Sequence, residues 1–274
     1  MTRSALFLPA SNARAIEKAR TLDCDVAILD LEDAVAPEAK LEARADAVTA
    51  VRSGGFGPRL GVRINGLDTD WGADDLKALT DAGATLIVAP KVNDAGAARA
   101  LTAALRSGAV LWAMIETPRA VLNLNAIAAV EGLEALMLGV NDLAVGLRTG
   151  PSPDREPLKP WLAATVAAAR AHGLLALDGV YNAFTDLEGF AAECAQGRLY
   201  GFDGKSLIHP SQIAPAHAAF APSEAEIASA RAIVAAFAAP DADGKGAIRV
   251  DGEMVERLHL SAAERVLQSL DHGR

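Results

Sequence analysis

Two short apolar runs, residues 110–115 and 135–140, constrain the fold more than any other feature of the chain. Each run has the length of a buried strand, and the apolar residues between them, at 119–130, recur at helical spacing. Two strands joined by a helix lie parallel, so their carboxyl ends meet at one edge of a sheet. Glu116 and Asp142 come just after the two runs, and we expect them side by side at that edge.

Two neighbouring carboxylates at the mouth of an apolar sheet repel each other unless a positive charge lies between them. A divalent ion bound by Glu116 and Asp142 would remove this repulsion. The residues alone also allow a structural interpretation, in which Glu116 caps the following helix and Asp142 starts a turn. Both interpretations stay open at this point.

The same alternation of strand and helix runs through most of the chain. Eight such units in about 210 residues predict an α/β fold of the TIM (β/α)8 barrel type, whose sites lie at the carboxyl ends of the strands. A doubly wound sheet would gather its ligands around one switch point, whereas here nearly every strand ends near a polar residue. The predicted strands are 4–8, 26–31, 60–64, 85–89, 110–115, 135–140, 174–180 and 200–208, and the polar residues are Ser11, Glu32, Arg63, Lys91, Glu116, Asp142, Asp178 and Lys205.

The pattern changes near residue 220, which predicts two parts. Residues 1–220 would form the barrel with its active site, and residues 221–274 a C-terminal helical arm or lid. The arm contains a helix at 223–239, capped by Ser223 with Glu226 at the spacing of a capping box. A loop at 240–246, a short strand at 247–250 and a helix at 261–270 complete it. Such an arm has little to bury alone, so we expect it to pack on a neighbouring subunit.

Composition restricts the partners. The chain has a net charge of −9 over 274 residues and a pI near 5.1, which argues against nucleic acid and anionic membranes. No run approaches the ~18 apolar residues of a membrane span, and Cys24 and Cys194 stand isolated. We therefore expect a cytoplasmic protein.

Six motifs follow one another in order and together cover almost the whole chain. They are LDLEDAV (29–35), VRING (62–66), APK (89–91), MIETP (114–118), NDL (141–143) and GFDGKSLIHPSQI (201–213). This set resembles the citrate lyase β-subunit-like (CitE-like) family of the HpcH/HpaI aldolase superfamily, which is related to malyl-CoA and citramalyl-CoA lyases. The resemblance implies a homotrimeric TIM barrel that uses Mg²⁺ (or Mn²⁺) to cleave a 3-hydroxyacyl-CoA thioester into acetyl-CoA and a 2-oxo acid.

The resemblance also implies roles for single residues. Glu116 and Asp142 would be the metal ligands, and carboxylates with water and substrate oxygens suit magnesium. Arg63 would grip the substrate and act in catalysis, since its planar fork matches carboxylate and thioester oxygens. Further substrate-binding residues would be Glu32, Asp33, Asn65 and Lys91, and the CoA nucleotide would lie against Gly204, Lys205, His209 and Pro210.

One position departs from the family. Its C-terminal segment usually places an Asp, the catalytic acid or base that reaches a neighbouring subunit's site, where this chain has Glu256 in the segment GEMVE (252–256). Glu256 keeps the carboxylate and adds a methylene group. We expect it to be the catalytic base, while the substitution also allows a changed substrate or a loss of activity. The acyl group could be carried by CoA or by an acyl carrier protein partner.

Two other functions fit parts of the sequence. A metal-dependent pyruvate aldolase of the HpcH/HpaI type would use the same carboxylates, but such enzymes typically have an early histidine, and the first here is His172. The other function is a non-catalytic CoA-binding protein or a subunit active only in a complex. Glu256 is the one residue that favours it. Proton exchange of pyruvate without CoA would indicate the aldolase, and tight CoA binding without turnover the binding protein.

Overall fold

Eight parallel strands, which pair in sequence order, close into a barrel in which β1 also pairs with β8. The structure is a computed structural model and describes residues 1–239, 242 and 244–271. The predicted (β/α)8 barrel is confirmed. Its strands are β1 (Ser4–Pro9), β2 (Val26–Asp30), β3 (Arg59–Arg63), β4 (Leu86–Ala89), β5 (Val110–Ile115), β6 (Leu133–Leu138), β7 (Leu175–Asp178) and β8 (Gly204–Leu207).

Helices connect the strands, and several begin and end at residues suited to those places. Asn12 and Asp94 cap two helices by accepting a backbone N–H, and Gly83 and Gly201 end two others in the left-handed region. The helices are α1 (Ala13–Ala19), α2 (Lys40–Ser53), α3 (Gly72–Ala82), α4 (Ala95–Ala103), α5 (Pro118–Leu122), α6 (Leu124–Ala128), α7 (Val140–Leu147), α8 (Lys159–Ala171), α9 (Leu187–Tyr200) and α10 (Ile213–Phe220).

The strand side chains divide into two buried layers, because successive residues of a strand point to opposite faces. One layer contains strand residues alone and fills the barrel interior. The other packs the outer strand faces against the helices. The last inward-pointing residue of each strand therefore faces the mouth of the barrel. The interior residues are Ala5, Val26, Ile28, Leu86, Val88, Trp112, Met114, Ala135, Met137 and Leu177.

The connection around β6 differs from the prediction. The helix expected at 119–130 is divided at Asn123, whose side-chain amide donates to the backbone carbonyls of Asn93 and Arg119 and so competes with continuous helix. Helix α7 was not predicted, and it begins right after Gly139. Asp142 therefore lies in the first turn of a helix, where the positive end of the helix dipole favours a carboxylate.

The C-terminal segment forms a second compact unit. The first unit spans Thr2–Phe220, and the second contains Met1 and the residues from Ala221 on. In the second unit, Ser223 and Glu226 form the predicted capping box, while Pro240, Asp241 and Asp243 of the predicted loop lie outside the described residues. None of the described helices has the length and apolar character to cross a membrane. The unit contains α11 (Glu224–Ala238), the antiparallel strands β9 (Ala247–Val250) and β10 (Glu253–Glu256), and α12 (Arg257–Asp271).

Candidate active site

A cavity of about 380 Å³ opens at the carboxyl ends of the barrel strands. Phe7, Met114 and Ser206 contribute to its wall from inward-facing strand positions, and Asn141 of α7 and the loop residue Asn182 contribute from above them. Four of the predicted functional residues, Asp33, Arg63, Glu116 and Asp142, line this cavity. The fold therefore brings the predicted metal pair and the predicted substrate-binding arginine to one place.

Arg63, the last residue of β3, is buried and held on several sides. Its Nε and Nη2 donate to the two carboxylate oxygens of Asp30, each at 2.6 Å, and its Nη1 lies 2.9 Å from Glu32 Oε2. The guanidinium also lies over the Phe7 ring, 4.8 Å from the centroid. A bidentate pair of this kind fixes the plane of the guanidinium, so Arg63 is pre-oriented at the cavity wall.

Asp30 was missed in the sequence analysis, although a signal for it exists. It ends β2, and the two strands are in register with Asp30 beside Arg63. Asp30 also accepts the backbone N–H groups of Glu32 and Ala34. Counting two residues on from inward-facing Ile28 would have placed its side chain in the mouth.

Glu116 follows β5, and its carboxylate is almost fully buried. Its Oε1 accepts the backbone N–H of Lys91 at 2.7 Å, and its other side lies against the backbone of Gly139, where an added Cβ would come within 2.4 Å of Glu116 Oε2. Burial, followed by the negative charges of Glu32 and Asp142, raises the pKa of Glu116 to about 7. The site thus holds a carboxylate that needs a nearby cation to ionise fully.

Glu32 and Lys91 form an ion pair beside Glu116 and Asp142, the two predicted metal ligands. Lys91 Nζ donates to Glu32 Oε1 at 2.9 Å and lies 3.8 Å from Asp142 Oδ2. Burial raises the pKa of Glu32 above its usual value. Burial alone would lower the pKa of Lys91, but the hydrogen bond and charge of Glu32 raise it instead, so Lys91 remains an ammonium.

The charges around the cavity fit a divalent cation. Three cationic side chains lie at or next to the cavity: Arg63 in its wall, Lys91 on Glu32, and Lys40, whose Nζ donates to the backbone carbonyls of Leu31 and Glu32. They accompany five carboxylates, which leaves an excess of two negative charges when all are ionised. In the described residues no three His, Cys, Asp or Glu side chains are grouped to hold a metal. Glu116 and Asp142 would thus supply two ligands and leave the other positions to water and substrate, as is usual for Mg²⁺. The five carboxylates are Asp30, Glu32, Asp33, Glu116 and Asp142.

Two of the predicted CoA-binding residues, Lys205 and Gly204, do not line this cavity, and their contact with CoA stays a prediction. Lys205 points outward from β8 and is fully buried, with Nζ 2.9 Å from Asp178 and 2.8 Å from Glu193. Asp178, expected at the rim, points outward as well and also pairs with Arg155 at 2.8 Å. Gly204 lies at the start of β8, where a Cβ would come within 2.2 Å of the carbonyl oxygen of Thr2. Both residues support the barrel wall.

Three predicted substrate-binding residues, Asn65, Glu32 and Lys91, are also absent from the cavity wall. Asn65 is buried, and its side-chain amide donates to Asp75 Oδ2 at 2.6 Å, so its contact with substrate stays a prediction. Glu32 pairs with Arg63 and Lys91, as described above, and orients them instead of facing the cavity. A polar residue just after a strand can turn toward the following helix, and the sequence does not show which way it turns.

The roles of His209, Pro210 and Glu256 remain predictions. His209 and Pro210 follow β8 next to Ile208, which lines the cavity. His209 accepts the backbone N–H of Ser211 through Nδ1 and stacks on Phe184, with ring centroids 4.8 Å apart. Glu256 lies on β10 in the second unit, where its backbone N–H donates to His259 Nδ1.

Comparison with known proteins identifies relatives over the whole chain. Residues 3–210 match the model of the HpcH/HpaI aldolase/citrate lyase family, and residues 156–271 match that of a C-C bond lyase of the TIM-barrel fold. A (3S)-malyl-CoA thioesterase from Cereibacter sphaeroides is 48% identical, over 97% of this chain and 93% of the relative. An L-malyl-CoA/beta-methylmalyl-CoA lyase from the same species is 36% identical, over 98% of this chain and 94% of the relative.

A solved structure shows a similar fold. It is the crystal structure of the protein CitE from Mycobacterium tuberculosis in complex with magnesium, acetoacetate and coenzyme A. The two chains are 33% identical and superpose with a TM-score of 0.81, with 97% of each chain covered.

Proposed function

Because the chain belongs to the HpcH/HpaI aldolase/citrate lyase family, a family of carbon–carbon lyases, we propose that it cleaves a 3-hydroxyacyl-CoA thioester of the malyl-CoA type. The products would be acetyl-CoA and a 2-oxo acid. The observation that carries the proposal is the cluster of Glu116, Asp142 and Arg63 at one cavity. The two C. sphaeroides relatives are both named for malyl-CoA, which supports this substrate class.

The metal pair would bind the acid end of the substrate. Glu116 and Asp142 would hold Mg²⁺ (or Mn²⁺), which would supply Lewis-acid chemistry at that end of the substrate. The magnesium and coenzyme A in the CitE crystal structure support such a site in the family. Arg63, held in plane by Asp30, would bind the thioester oxygen and stabilise the negative charge that develops there.

The reaction is a retro-Claisen cleavage. A base removes the proton of the 3-hydroxyl group, the C2–C3 bond breaks as the new carbonyl forms, and the electron pair passes to the thioester enolate, which a proton converts to acetyl-CoA. Glu256 of a neighbouring copy would be the base. This assignment makes the enzyme a homo-oligomer, a trimer by family resemblance, with its site shared between chains.

Hydrolysis of the same thioester to a hydroxy acid and free CoA is the second candidate. Two observations favour it: relatives 46–48% identical are named (3S)-malyl-CoA thioesterases, and Glu256 replaces the Asp of the family segment. In hydrolysis, water would attack the thioester carbonyl, and the C2–C3 bond would remain intact.

One experiment separates the two reactions. The protein is incubated with (3S)-malyl-CoA and Mg²⁺ in H₂¹⁸O, and the products are identified by mass spectrometry. Acetyl-CoA and glyoxylate would support cleavage, whereas ¹⁸O-labelled malate and free CoA would identify hydrolysis. Consumption of substrate that persists in EDTA or in Asp142→Ala would contradict the metal assignment. An unchanged substrate would direct the test to acyl-carrier thioesters and to condensation of acetyl-CoA with glyoxylate, pyruvate or oxaloacetate.

A further inference from the structure

Lys91 contacts both carboxylates of the proposed metal pair, through different parts of the residue. Its backbone N–H donates to Glu116 Oε1 at 2.7 Å, while its ammonium lies 3.8 Å from Asp142 Oδ2. The ammonium is also held by Glu32 Oε1 at 2.9 Å. Lys91, in the loop after β4, therefore connects the carboxylate of Glu116, which follows β5, with the carboxylate of Asp142 in α7.

The backbone at Lys91 is unusual. Its φ of 51° lies in the left-handed region, which residues other than glycine rarely occupy and which costs about 1 kcal/mol or more. In this conformation the N–H reaches the buried Glu116 carboxylate. A buried carboxylate without a hydrogen-bond donor would be far more costly, so this bond compensates for the local strain.

We propose that Lys91 is a positioning residue for the metal: its backbone fixes Glu116, its ammonium holds Glu32 and Asp142 before the metal binds, and its charge weakens divalent-cation binding until an anionic substrate is present. This inference rests on the proposed metal pair. It assigns to Lys91 a role other than direct substrate contact, in agreement with its absence from the cavity wall.

The Lys91 ammonium changes the affinities of the site for a divalent cation and for a small anion in opposite directions. Like charges repel, so Lys91 lowers the affinity for a divalent cation, and opposite charges attract, so it raises the affinity for a small anion. A neutral side chain of similar length, as in Lys91→Met, keeps the backbone bond to Glu116. We expect Lys91→Met to bind Mn²⁺ about tenfold more tightly and, once loaded with Mn²⁺, to bind oxalate several-fold more weakly, by an order-of-magnitude Coulomb argument.

The test measures free Mn²⁺ by electron paramagnetic resonance and oxalate binding by calorimetry. The variants are Lys91→Met and Lys91→Gln, which remove the charge, and Lys91→Arg, which keeps it. Circular dichroism checks the fold, and Lys91→Gln replaces Lys91→Met if the latter fails to fold. Opposite changes for the two ligands in the neutral variants, with Lys91→Arg near wild type, support the proposal.

Other outcomes overturn it. Weaker or unchanged Mn²⁺ binding in the neutral variants would show that Lys91 does not oppose the metal, and a loss of both affinities would indicate only a structural role. A Lys91→Arg variant that behaves like Lys91→Met would exclude the charge as the cause. If wild-type protein binds no Mn²⁺, the metal pair itself is wrong and this inference falls with it, so the two failures are distinguishable.

Discussion

The buried carboxylate of Glu116, a predicted metal ligand, lowers the free energy of unfolding of the metal-free protein once it ionises. Burial and neighbouring negative charges raise its pKa from 4.5 to about 7. In the unfolded chain Glu116 ionises near its ordinary pKa, so the metal-free protein loses stability as pH rises from about 4.5 to about 7. The loss is at most about 3 kcal/mol at pH 8. A bound cation would remove this cost.

Glu116→Gln isolates this effect. The amide oxygen can still accept the Lys91 N–H but carries no charge, so in EDTA we expect the variant to be more stable than wild type by roughly 1–3 kcal/mol at pH 8. The difference should fall below about 0.5 kcal/mol near pH 4.5, where the folded-state carboxyl is protonated and the unfolded-state carboxyl is half protonated. Urea unfolding at the two pH values measures it. Equal stability of the two proteins at pH 8 would contradict the raised pKa.

Asp30 acts on the reaction through Arg63. Asp30→Asn keeps the size of the side chain but removes the charge and one of the two acceptors of the guanidinium. We expect kcat/KM for the thioester to fall by roughly 10- to 100-fold, because the pre-oriented geometry of Arg63 is lost. Mn²⁺ affinity should fall much less than kcat/KM, because Asp30 is not one of the two predicted metal ligands; an equal loss of metal binding would indicate general damage.

At the scale of elements, the close approach of β5 and β6 determines where the metal pair can lie. Gly139 follows β6, and a Cβ there would come within 2.4 Å of Glu116. We expect Gly139→Ala to displace the Glu116 carboxylate and to weaken Mn²⁺ binding by at least tenfold, a change of about 1.4 kcal/mol. Gly150→Ala is the matched control, because nothing lies within 4 Å of the added Cβ. Equal Mn²⁺ affinity in both variants would show that the site tolerates the methyl group.

The layer between β7, β8 and α9 contains a buried network of four charged side chains, Asp178, Lys205, Arg155 and Glu193. Asp178→Ala would remove one of the two carboxylates that Lys205 and Arg155 share, the other being Glu193; breaking a buried ion pair typically costs about 3–5 kcal/mol. Thermal unfolding should show a decrease of roughly 10 °C for a unit of this size. Asp178→Leu combined with Lys205→Met, which removes both charges, should lose less.

Acid should abolish the contribution of Asp178. Burial by itself would raise its pKa, but the charges of Lys205 and Arg155 lower it below the ordinary value. The stabilisation is therefore present above about pH 4, the ordinary pKa of an Asp, and is lost as pH falls through the lower folded-state pKa. The stability difference between wild type and Asp178→Ala should shrink in that acid range.

The sequence predicted the strands well and the direction of their last side chains poorly. Apolar runs show where a barrel strand lies, and the strand at Val110–Ile115 has the predicted bounds. Both faces of a parallel barrel strand are apolar, however, so the pattern around Asp178 and Lys205 does not reveal which face each residue occupies. Arg63 and Glu116, which the strand ends placed at the rim, line the cavity, whereas inward-facing Asp30 required the register of β2 and β3.

At the scale of the whole molecule, the proposed shared site makes activity depend on assembly. Asp142→Ala and Glu256→Gln should each be inactive alone, because one lacks the metal ligand and the other the base. If each site combines Asp142 of one chain with Glu256 of a neighbour, an equal mixture refolded together should regain about a quarter of wild-type activity. No recovery, or an active monomer by light scattering, would contradict the shared site.

The buried network at β7 and β8 has a consequence for how this enzyme can diverge. Its four side chains join β7 and β8 to α9 and to the loop before α8, while the candidate site residues lie at the ends of β2 to β6, and in the described residues the two sets have no side chain in common. Substitutions at the cavity wall, at Asn141 or Asn182 for example, can therefore accumulate without disturbing this network. Related proteins can therefore differ in acyl substrate while the same buried network stabilises the fold.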